Sequence, residues 1–248
     1  MASDSDAPRT VLVSLRDADD PMCAHELACF RRATGIDAIE MVSAVNAEGR
    51  ALDALEDAVA SAELLLFGGS GAYSVLDTHS WVRRFLDVLA RVPSRGVPAW
   101  ASCFAFQGLA LAMGGRVARD DARQQLGARP VELTAAAGQD PLFASLPPRF
   151  FAQFGHHDHV VDVPSGVTVL ATGNGGQCQA FRVDGARFWG AQFHPELDKR
   201  TTLERWSHYR LNYERDQGDE IDRQLREAPE TPEVSKILRT LVELARER

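Results

Sequence analysis

A short buried strand that turns directly into an apolar helix constrains the fold of this chain most. Residues 97–102 (Val-Pro-Ala-Trp-Ala-Ser) predict the strand, and residues 104–113 are apolar and rich in helix-forming residues until Gly114. Cys103 stands at the junction of the two. A nucleophile on such a turn is held clear of its own backbone and faces a helix N-terminus, where unpaired N–H groups favour a thiolate. We therefore predict that Cys103 is a catalytic nucleophile.

Strand and helix patterns alternate through the first 113 residues. Further strands are predicted at 10–15, 38–42 and 63–67, and further helices at 22–34, 51–62 and 80–91. This alternation predicts a parallel sheet covered by helices on both faces. Residues 116–134 and 150–193 are punctuated by turns and richer in β-branched and aromatic residues, which predicts an added antiparallel section. The predicted class is α/β, with an open, mostly parallel sheet flanked by helices, an antiparallel section and a helical C-terminal tail.

The chain is divided at residue 198 in this interpretation. Residues 1–198 would form the main domain, and residues 199–248 a charged helical extension that packs on it. The extension is broken near Gly218 and at Pro229 and Pro232, and it contains no motif with recognisable chemistry.

Composition excludes several classes of function. At 248 residues the chain can bury a substantial core, and its net charge of −8 argues against binding to nucleic acid. No apolar run approaches the roughly 20 residues that a membrane span needs, and the polar, acidic N-terminus is unlike a signal peptide. The four cysteines show neither a C-x-x-C pair nor zinc-like spacing. We expect a reduced, cytoplasmic protein with no metal and no cofactor.

A glycine-rich loop, Gly68-Gly69-Ser70-Gly71, follows the strand at 63–67 directly. Glycines at the carboxyl edge of a parallel sheet let the backbone approach a ligand closely, and that edge is where open α/β sheets bind ligands. A simple tight connection or a phosphate cradle remain the alternatives for the loop alone. A P-loop is disfavoured because no Gly-Lys-Ser/Thr sequence follows.

The second chemical motif is His194-Pro195-Glu196, which comes directly after a predicted strand. A carboxylate two residues after a histidine can lie on the same side and accept a hydrogen bond from the ring. Fixing one ring nitrogen in this way leaves the other free to exchange a proton with a thiol. A structural histidine is the alternative for this motif taken alone.

The histidine-rich stretch Gly155-His156-His157-Asp158-His159 is predicted to be a loop. Its histidines could suggest a metal site, but adjacent residues on a strand alternate faces and no second cluster supplies the remaining ligands. A pocket wall is therefore favoured.

Taken together, these motifs resemble the class I (triad) glutamine amidotransferases. The resemblance is nearest to the glutaminase domain of GMP synthase and to related stand-alone amidotransferase-like proteins, and it covers roughly residues 10–198. The motifs that carry it, in order, are Gly68-Gly69 with Ser74-Val75 downstream, Cys103 with Gln107, Leu126-Gly127, Asp140-Pro141-Leu142-Phe143, His156-x-Asp158-x-Val160 with Pro164, and Gln192-Phe193-His194-Pro195-Glu196.

The resemblance implies a flavodoxin-like fold and a Cys-His-Glu triad with glutaminase chemistry. Cys103 would attack a γ-carboxamide or γ-glutamyl amide, with His194 as general base and then acid and Glu196 orienting the ring. Backbone N–H groups of Gly69, in the Gly68-Gly69 loop, and of Phe104 would hold the oxyanion.

The resemblance also implies a pocket for the glutamyl part of the substrate. Gln107 and the backbone around Gly155, His156 and His157 would line it.

The residues leave two hypotheses open. The first is a stand-alone hydrolase that cleaves glutamine or a γ-glutamyl compound, passing ammonia to a separate synthase or acceptor subunit or acting alone. The second is a binding or regulatory module that keeps the fold but is weak or idle as a catalyst. It is motivated by Ala101 and Ala105, which stand where the family has glycine. A related elbow-cysteine fold used for redox sensing or another hydrolysis is a third possibility. Gln107 and the Gln192-to-Glu196 ending disfavour it, since a redox cysteine needs neither.

Overall fold

The computed structural model describes residues 7–120, 123–173, 175–213 and 218–247. The strands are β1 (Thr10–Ser14), β2 (Ile39–Ser43), β3 (Leu64–Phe67), β4 (Ala99–Ser102), β5 (Arg116–Arg119), β6 (Gln125–Leu133), β7 (Arg149–His156), β8 (Asp158–Asp162), β9 (Val167–Thr172), β10 (Cys178–Val183) and β11 (Phe188–Ala191). The helices are α1 (Met22–Thr34), α2 (Arg50–Ser61), α3 (Ser80–Arg91), α4 (Phe104–Ala112), α5 (Lys199–Tyr213), α6 (Gly218–Glu227) and α7 (Lys236–Arg246).

A nine-stranded mixed sheet organises the molecule, in the order β2-β1-β3-β4-β11-β10-β9-β6-β7. The strands from β2 to β11 pair in parallel, and those from β11 to β7 pair antiparallel. A separate antiparallel pair is formed by β5 and β8. The predicted α/β class, with a parallel sheet, helices and an antiparallel section, is confirmed.

The strands at the centre of the sheet are short and buried on both faces. Every residue of β1, β3 and β4 is buried. Side chains alternate across a strand, so each strand supplies two layers. Val11, Leu65 and Ala101 lie in the layer beneath α2, α3 and α4. Leu12, Leu66 and Trp100 lie in the layer on the opposite face. The continuous apolar runs of the sequence therefore reflect a sheet that is covered on both sides.

Helix α7 of the C-terminal extension covers the second face together with α1. Ile237, Leu238 and Leu241 are fully buried there, in the same cluster as Phe30 of α1. The extension thus shares a hydrophobic core with the sheet. The division of the chain at residue 198 stays a prediction.

The predicted loop at residues 155–159 is different in the structure. Strand β7 continues through His156, β8 begins at Asp158, and only His157 lies between them. Long-range pairing explains the difference, because Gln125 of β6 pairs with His156 and Arg119 of β5 pairs with Asp158. The polar composition of the stretch suggested a loop, but pairing with neighbouring strands extends it.

The carboxyl ends of three adjacent parallel strands meet at one edge of the sheet. Ala191 of β11 lies opposite Ser102 of β4, and Ala101 lies opposite Phe67 of β3. The glycine loop, Cys103 and the segment leading to His194 leave the sheet from these three ends. The fold therefore brings together the motifs that the sequence separates by more than a hundred residues.

We predict that α7 stabilises the whole fold. Replacing fully buried Leu241 with alanine should lower the free energy of unfolding by about 3 kcal/mol, because the change loses apolar burial and leaves a cavity. Urea denaturation measures this value. Glu243→Ala, at an exposed position of the same helix, is the matched control and should change it by less than about 0.5 kcal/mol. Equal values for the two variants would contradict the prediction.

Candidate active site

Cys103 occupies a strained turn between β4 and α4. Its φ of 49° lies in the left-handed region, which only one other described non-glycine residue, Asn46, also adopts. Such a conformation costs of order 1 to 3 kcal/mol and persists only when the surroundings enforce it. Here the Cys103 N–H donates to the carbonyl of Ala191 at 2.8 Å, and the Cys103 carbonyl accepts from the N–H of Gln107 at 3.0 Å. The turn thereby holds the thiol against the helix N-terminus.

Phe104 follows Cys103 directly, so its backbone N–H is the first that α4 presents after the thiol. Phe104 is the first residue of α4, so its N–H has no partner within the helix. Ala101 and Ala105, on either side of the turn, are fully buried. The methyl group of Ala101 faces Gly190, where a side chain would come within 3.4 Å of it. Gly190 therefore leaves room for the methyl group of Ala101.

His194 and Glu196 form a buried pair next to the thiol. His194 Nδ1 lies 2.6 Å from Glu196 Oε1. The second oxygen of the carboxylate accepts from the hydroxyl of Ser102 at 3.1 Å, and that hydroxyl accepts from the indole N–H of Trp100 at 2.9 Å. With Nδ1 engaged by the carboxylate, Nε2 is the ring nitrogen left for Cys103. Both groups lie beside Gly69, where a Cβ would be 3.6 Å from Cys103 Cβ and 3.8 Å from His194 Nε2.

The pKa values of His194 and Glu196 shift in opposite directions, upward for the ring and downward for the carboxylate. Burial by itself lowers the pKa of His194, but the Glu196 carboxylate and hydrogen bonds to Cys103 and Glu196 outweigh it and raise the pKa to about 9. Burial raises the pKa of Glu196, and the charges of His194 and Arg205 together with the hydrogen bond from His194 outweigh it and lower the pKa to about 2. The ring is therefore protonated and the carboxylate ionised at neutral pH.

The glycine loop approaches the ring closely. A Cβ at Gly69 would lie 2.9 Å from His194 Cε1 and 3.6 Å from the Cβ of Cys103. The N–H of Gly69 donates to Glu26 Oε1 at 3.2 Å. The N–H of Gly68 donates to the carbonyl of Val13 at 3.1 Å. The predicted oxyanion donor Gly69 thus lies beside the thiol and ring, but its N–H is directed to a carboxylate here.

Glu26 and Arg16 support this loop from beneath and were not identified from the sequence. Both side chains are almost fully buried, and Arg16 Nη2 lies 3.2 Å from Glu26 Oε1. A Cβ at Gly68 would lie 2.6 Å from Glu26 Oε2, so glycine is the residue that fits there. The only signal in the sequence was that Glu26 falls on the inner face of α1. A sequence pattern alone does not distinguish such a buried glutamate from an exposed one.

A cavity of about 430 Å³ opens in front of the thiol. Among the predicted pocket residues, those that line it together with Cys103 are Phe104, Gln107, Gly155, His156 and His157. The cavity is also lined by residues that sequence reasoning had not assigned to the pocket, namely Ser70, Gly71, Ala72, Tyr73, Ser74, Asp77, Arg119 and Asp158. Gly68 and Gly69 are both absent from its wall; Gly68 packs against Glu26, and the Gly69 N–H donates to the same side chain.

Gln107 is fixed by its surroundings. Its amide nitrogen donates to the carbonyl of Asp158 at 2.6 Å and to Gln192 Oε1 at 3.1 Å. Gln192 in turn donates to the sulfur of Cys103 at 3.5 Å. A chain of amides therefore links the sulfur to the pocket wall.

His156 is held as a neutral ring in this wall. Burial is the main reason that its pKa falls to about 3, and its Nδ1 lies 2.8 Å from the Asp158 carbonyl. Ser74 donates its hydroxyl to the Asp158 carboxylate at 2.6 Å, which ties the glycine loop to β8.

Neither a metal centre nor a membrane-spanning helix is found in the part of the chain that the structure describes. No group of three or more histidine, cysteine, aspartate or glutamate side chains there is arranged to hold a metal ion. Within the same residues, no helix is long and apolar enough to cross a membrane.

The chain belongs to the glutamine amidotransferase class-I family, whose model matches residues 39–207. A glutamine-hydrolyzing GMP synthase of Xanthomonas oryzae pv. oryzae is 36% identical over 107 residues, which cover 41% of this chain and 20% of that protein. The GMP synthase of Thermotoga maritima is 36% identical over 100 residues, which cover 40% of this chain and 19% of that protein. The chain therefore matches about a fifth of the length of these relatives.

Solved structures show the same fold over nearly the whole chain. A glutamine amidotransferase from Thermotoga maritima has a TM-score of 0.70 at 19% identity, covering 97% of this chain and 99% of that one. A glutamine amidotransferase from Methylobacillus flagellatus has a TM-score of 0.68 at 17% identity, covering 96% and 92%. These similarities extend through the C-terminal extension and confirm the class I amidotransferase fold.

We predict that Glu196 is what keeps His194 protonated. In the wild type the ring should titrate near the pKa of about 9 given by its surroundings, whereas in Glu196→Gln burial prevails and the pKa should fall below about 6.5. NMR of ¹³C-labelled histidine, with His194 assigned by His194→Gln, measures both values. Glu56→Gln, which removes a carboxylate from a surface ion pair, should leave the titration unchanged. A pKa near 9 in Glu196→Gln would contradict the prediction.

Proposed function

We propose that this protein hydrolyses the side-chain amide of glutamine or of a γ-glutamyl compound through a thioester on Cys103. The observation that carries the proposal is a helix-terminal thiol that lines a cavity and lies beside a buried His194–Glu196 pair. A nucleophile, a proton carrier and a group that orients the carrier are the parts that acyl transfer requires. Membership of the class-I amidotransferase family supports the same chemistry.

The proposed reaction begins with the proton on His194 and the negative charge on sulfur. Sulfur attacks the carbonyl carbon of the amide, a C–S bond forms, and the carbonyl oxygen becomes an oxyanion. The oxyanion collapses, the C–N bond breaks, and His194 Nε2 gives its proton to the departing nitrogen, which leaves as ammonia. Water then attacks the thioester while His194 accepts a proton from it. The resulting intermediate collapses, the C–S bond breaks, and sulfur regains its negative charge beside the protonated ring. The acid product gives the second proton of the water to solvent and leaves as glutamate.

The oxyanion in this proposal is held by the N–H of Phe104 and by that of Gly69. The Phe104 N–H has no partner within α4, because it is the first residue of that helix, whereas the Gly69 N–H donates to Glu26. Binding of substrate would therefore have to turn the Gly69 peptide away from Glu26 before both donors face the oxyanion. Removing one such donor typically costs about 10² to 10³ in kcat.

The cavity would take the glutamyl part of the substrate. Its volume of about 430 Å³ exceeds what a single glutamine fills, so there is room for a γ-linked group. Asp77, Arg119 and Asp158 give the wall charges of both signs, which suits the ammonium and carboxylate groups of an amino acid.

Delivery of ammonia to a separate synthase or acceptor subunit is the second part of the proposal. The relatives reported above are glutamine-hydrolyzing GMP synthases, and this chain matches about a fifth of their length. We also expect the protein to work in a reducing compartment, since its proposed nucleophile is a free thiol.

A catalytically idle binding module is the second candidate function. The observation that favours it is the Gly69 N–H, which donates to Glu26 and leaves Phe104 as the remaining oxyanion donor of the predicted pair. Such a module would bind glutamine or a γ-glutamyl compound in the cavity and would not turn it over.

Replacing Cys103 with alanine should abolish hydrolysis. Ammonia and glutamate release from glutamine and γ-glutamyl peptides should fall by at least about 10⁴-fold, because no other group can form the thioester. Cys178→Ala removes a buried thiol outside the cavity and should retain wild-type rates. Measuring each rate with and without cell extract shows whether an acceptor stimulates turnover. Wild-type binding without turnover under every condition would favour the idle module, and equal activity in Cys103→Ala would reject the thioester.

Gly69→Ala should damage catalysis more than folding. The new methyl group would lie 2.9 Å from the His194 ring and force it to move, and a displacement of about 1 Å can cost about 100-fold in kcat. Gly138→Ala is the matched control, since nothing lies within 4 Å of a Cβ there and the φ of Gly138 is ordinary. Steady-state kinetics and urea denaturation of both variants check the expectation, which an unchanged kcat in Gly69→Ala would contradict.

A further inference from the structure

Helix α5 places one buried guanidinium against the His194–Glu196 pair. Arg205 Nη1 lies 3.4 Å from His194 Nδ1 and 3.7 Å from Glu196 Oε1. Its side chain is only 12% exposed. Because Nδ1 carries the proton that is shared with Glu196, the guanidinium cannot donate to that nitrogen. Arg205 is therefore a cation held beside the ring by its attraction to the carboxylate.

The same guanidinium also faces the acceptor of the Gly69 N–H. Arg205 Nη2 lies 4.0 Å from Glu26 Oε1, the oxygen that accepts from Gly69 and that pairs with Arg16. Its Nε and Nη2 make no hydrogen bond to any described residue. The guanidinium thus bridges two buried carboxylates through charge, one on the His194 side and one beneath the glycine loop.

The charges around Arg205 come from several elements. The titratable and charged side chains near it are Arg16, His25, Glu26 and Cys29 on the β1–α1 side, His194 and Glu196 after β11, and Tyr209 on α5 itself. Two carboxylates, Glu26 and Glu196, are the groups whose negative charge it can balance.

We propose that Arg205 is a positioning residue for the reaction: its guanidinium fixes the Glu196 carboxylate against the His194 ring and steadies Glu26 beneath the glycine loop. The proposal rests on the proposed function, and it makes the C-terminal extension part of the active site. Arg205 is not among the residues that line the cavity. Its neighbours are His194, Glu196 and Glu26, and it acts on the reaction through them.

Two consequences for the reaction follow from this position. Without Arg205, the Glu196 carboxylate loses one of its two cationic neighbours and orients the ring less firmly. A cation beside the ring also opposes protonation, so its removal raises the pKa of His194. A ring that holds its proton more tightly is a weaker acid toward the departing nitrogen. Both changes lower kcat, and neither changes substrate binding.

Arg205→Met tests the proposal, since it removes the charge and keeps much of the volume. The variant should fold, because Glu196 keeps Ser102 and His194 as partners and Glu26 keeps Arg16 and the Gly69 N–H. We expect kcat for glutamine to fall by about 10- to 100-fold with KM within about twofold. The His194 pKa, measured by histidine NMR, should rise by about 1 pH unit.

Two further variants separate positioning from general loosening. Arg205→Lys restores the charge and should bring the His194 pKa back to within about half a pH unit of the wild type. Arg200→Met removes an exposed arginine from the same helix and should change neither kcat nor the His194 pKa. Arg205→Gln replaces the methionine variant if that variant does not fold.

The outcomes are distinct. A fall in kcat together with a raised His194 pKa supports the proposal. A folded Arg205→Met that lacks either change overturns it, because a loss of packing alone would lower stability and leave the ring's titration in place. If the wild type hydrolyses neither glutamine nor γ-glutamyl compounds, the proposed function has failed on its own. The His194 pKa in Arg205→Met then decides whether Arg205 acts on the pair.

Discussion

A buried series of alternating charges holds the functional part of this protein together. The series runs from the loop after β1 through α1 and α5 to the segment after β11, in the order Arg16, Glu26, Arg205, Glu196 and His194. Buried charges are tolerated only when they are paired, and removing one partner typically costs about 3 to 5 kcal/mol. Each charge therefore stabilises the buried charges next to it. The glycine loop above Glu26 and the His194 ring are held in place by the same series.

The sheet supplies the second requirement, which is a common edge. Because β3, β4 and β11 are adjacent and parallel, the chain leaves all three at the same side. The strained turn at Cys103 is then enforced by a hydrogen bond to the last residue of β11. The strain at the nucleophile is therefore maintained by the best-packed part of the molecule, whose strands are fully buried.

Much of the fold could be predicted because its signals are local. The helices at 22–34 and 80–91 have the predicted bounds, and the other elements up to α4 differ from them by at most two residues at either end. The prediction of a loop at 155–159 was wrong. The conformation of this stretch is decided by strand pairing with Gln125 and Arg119, which are distant in sequence. The same limit applies to the site. Cys103 and His194 stand in recognisable motifs, whereas Arg205 lies in a charged helix without a motif.

The sequence by itself determined the alternation of strands and helices, the place of Cys103 at a strand–helix junction and the carboxylate two residues after His194. These features depend on neighbours within a few residues. Only the tertiary structure decided that Glu26 meets Gly69, that Gly68 turns away from the cavity and that Arg205 lies beside Glu196. A charged residue on a helix has the same sequence pattern whether it faces water or another charge. Its role is set by which helix packs on which edge of the sheet.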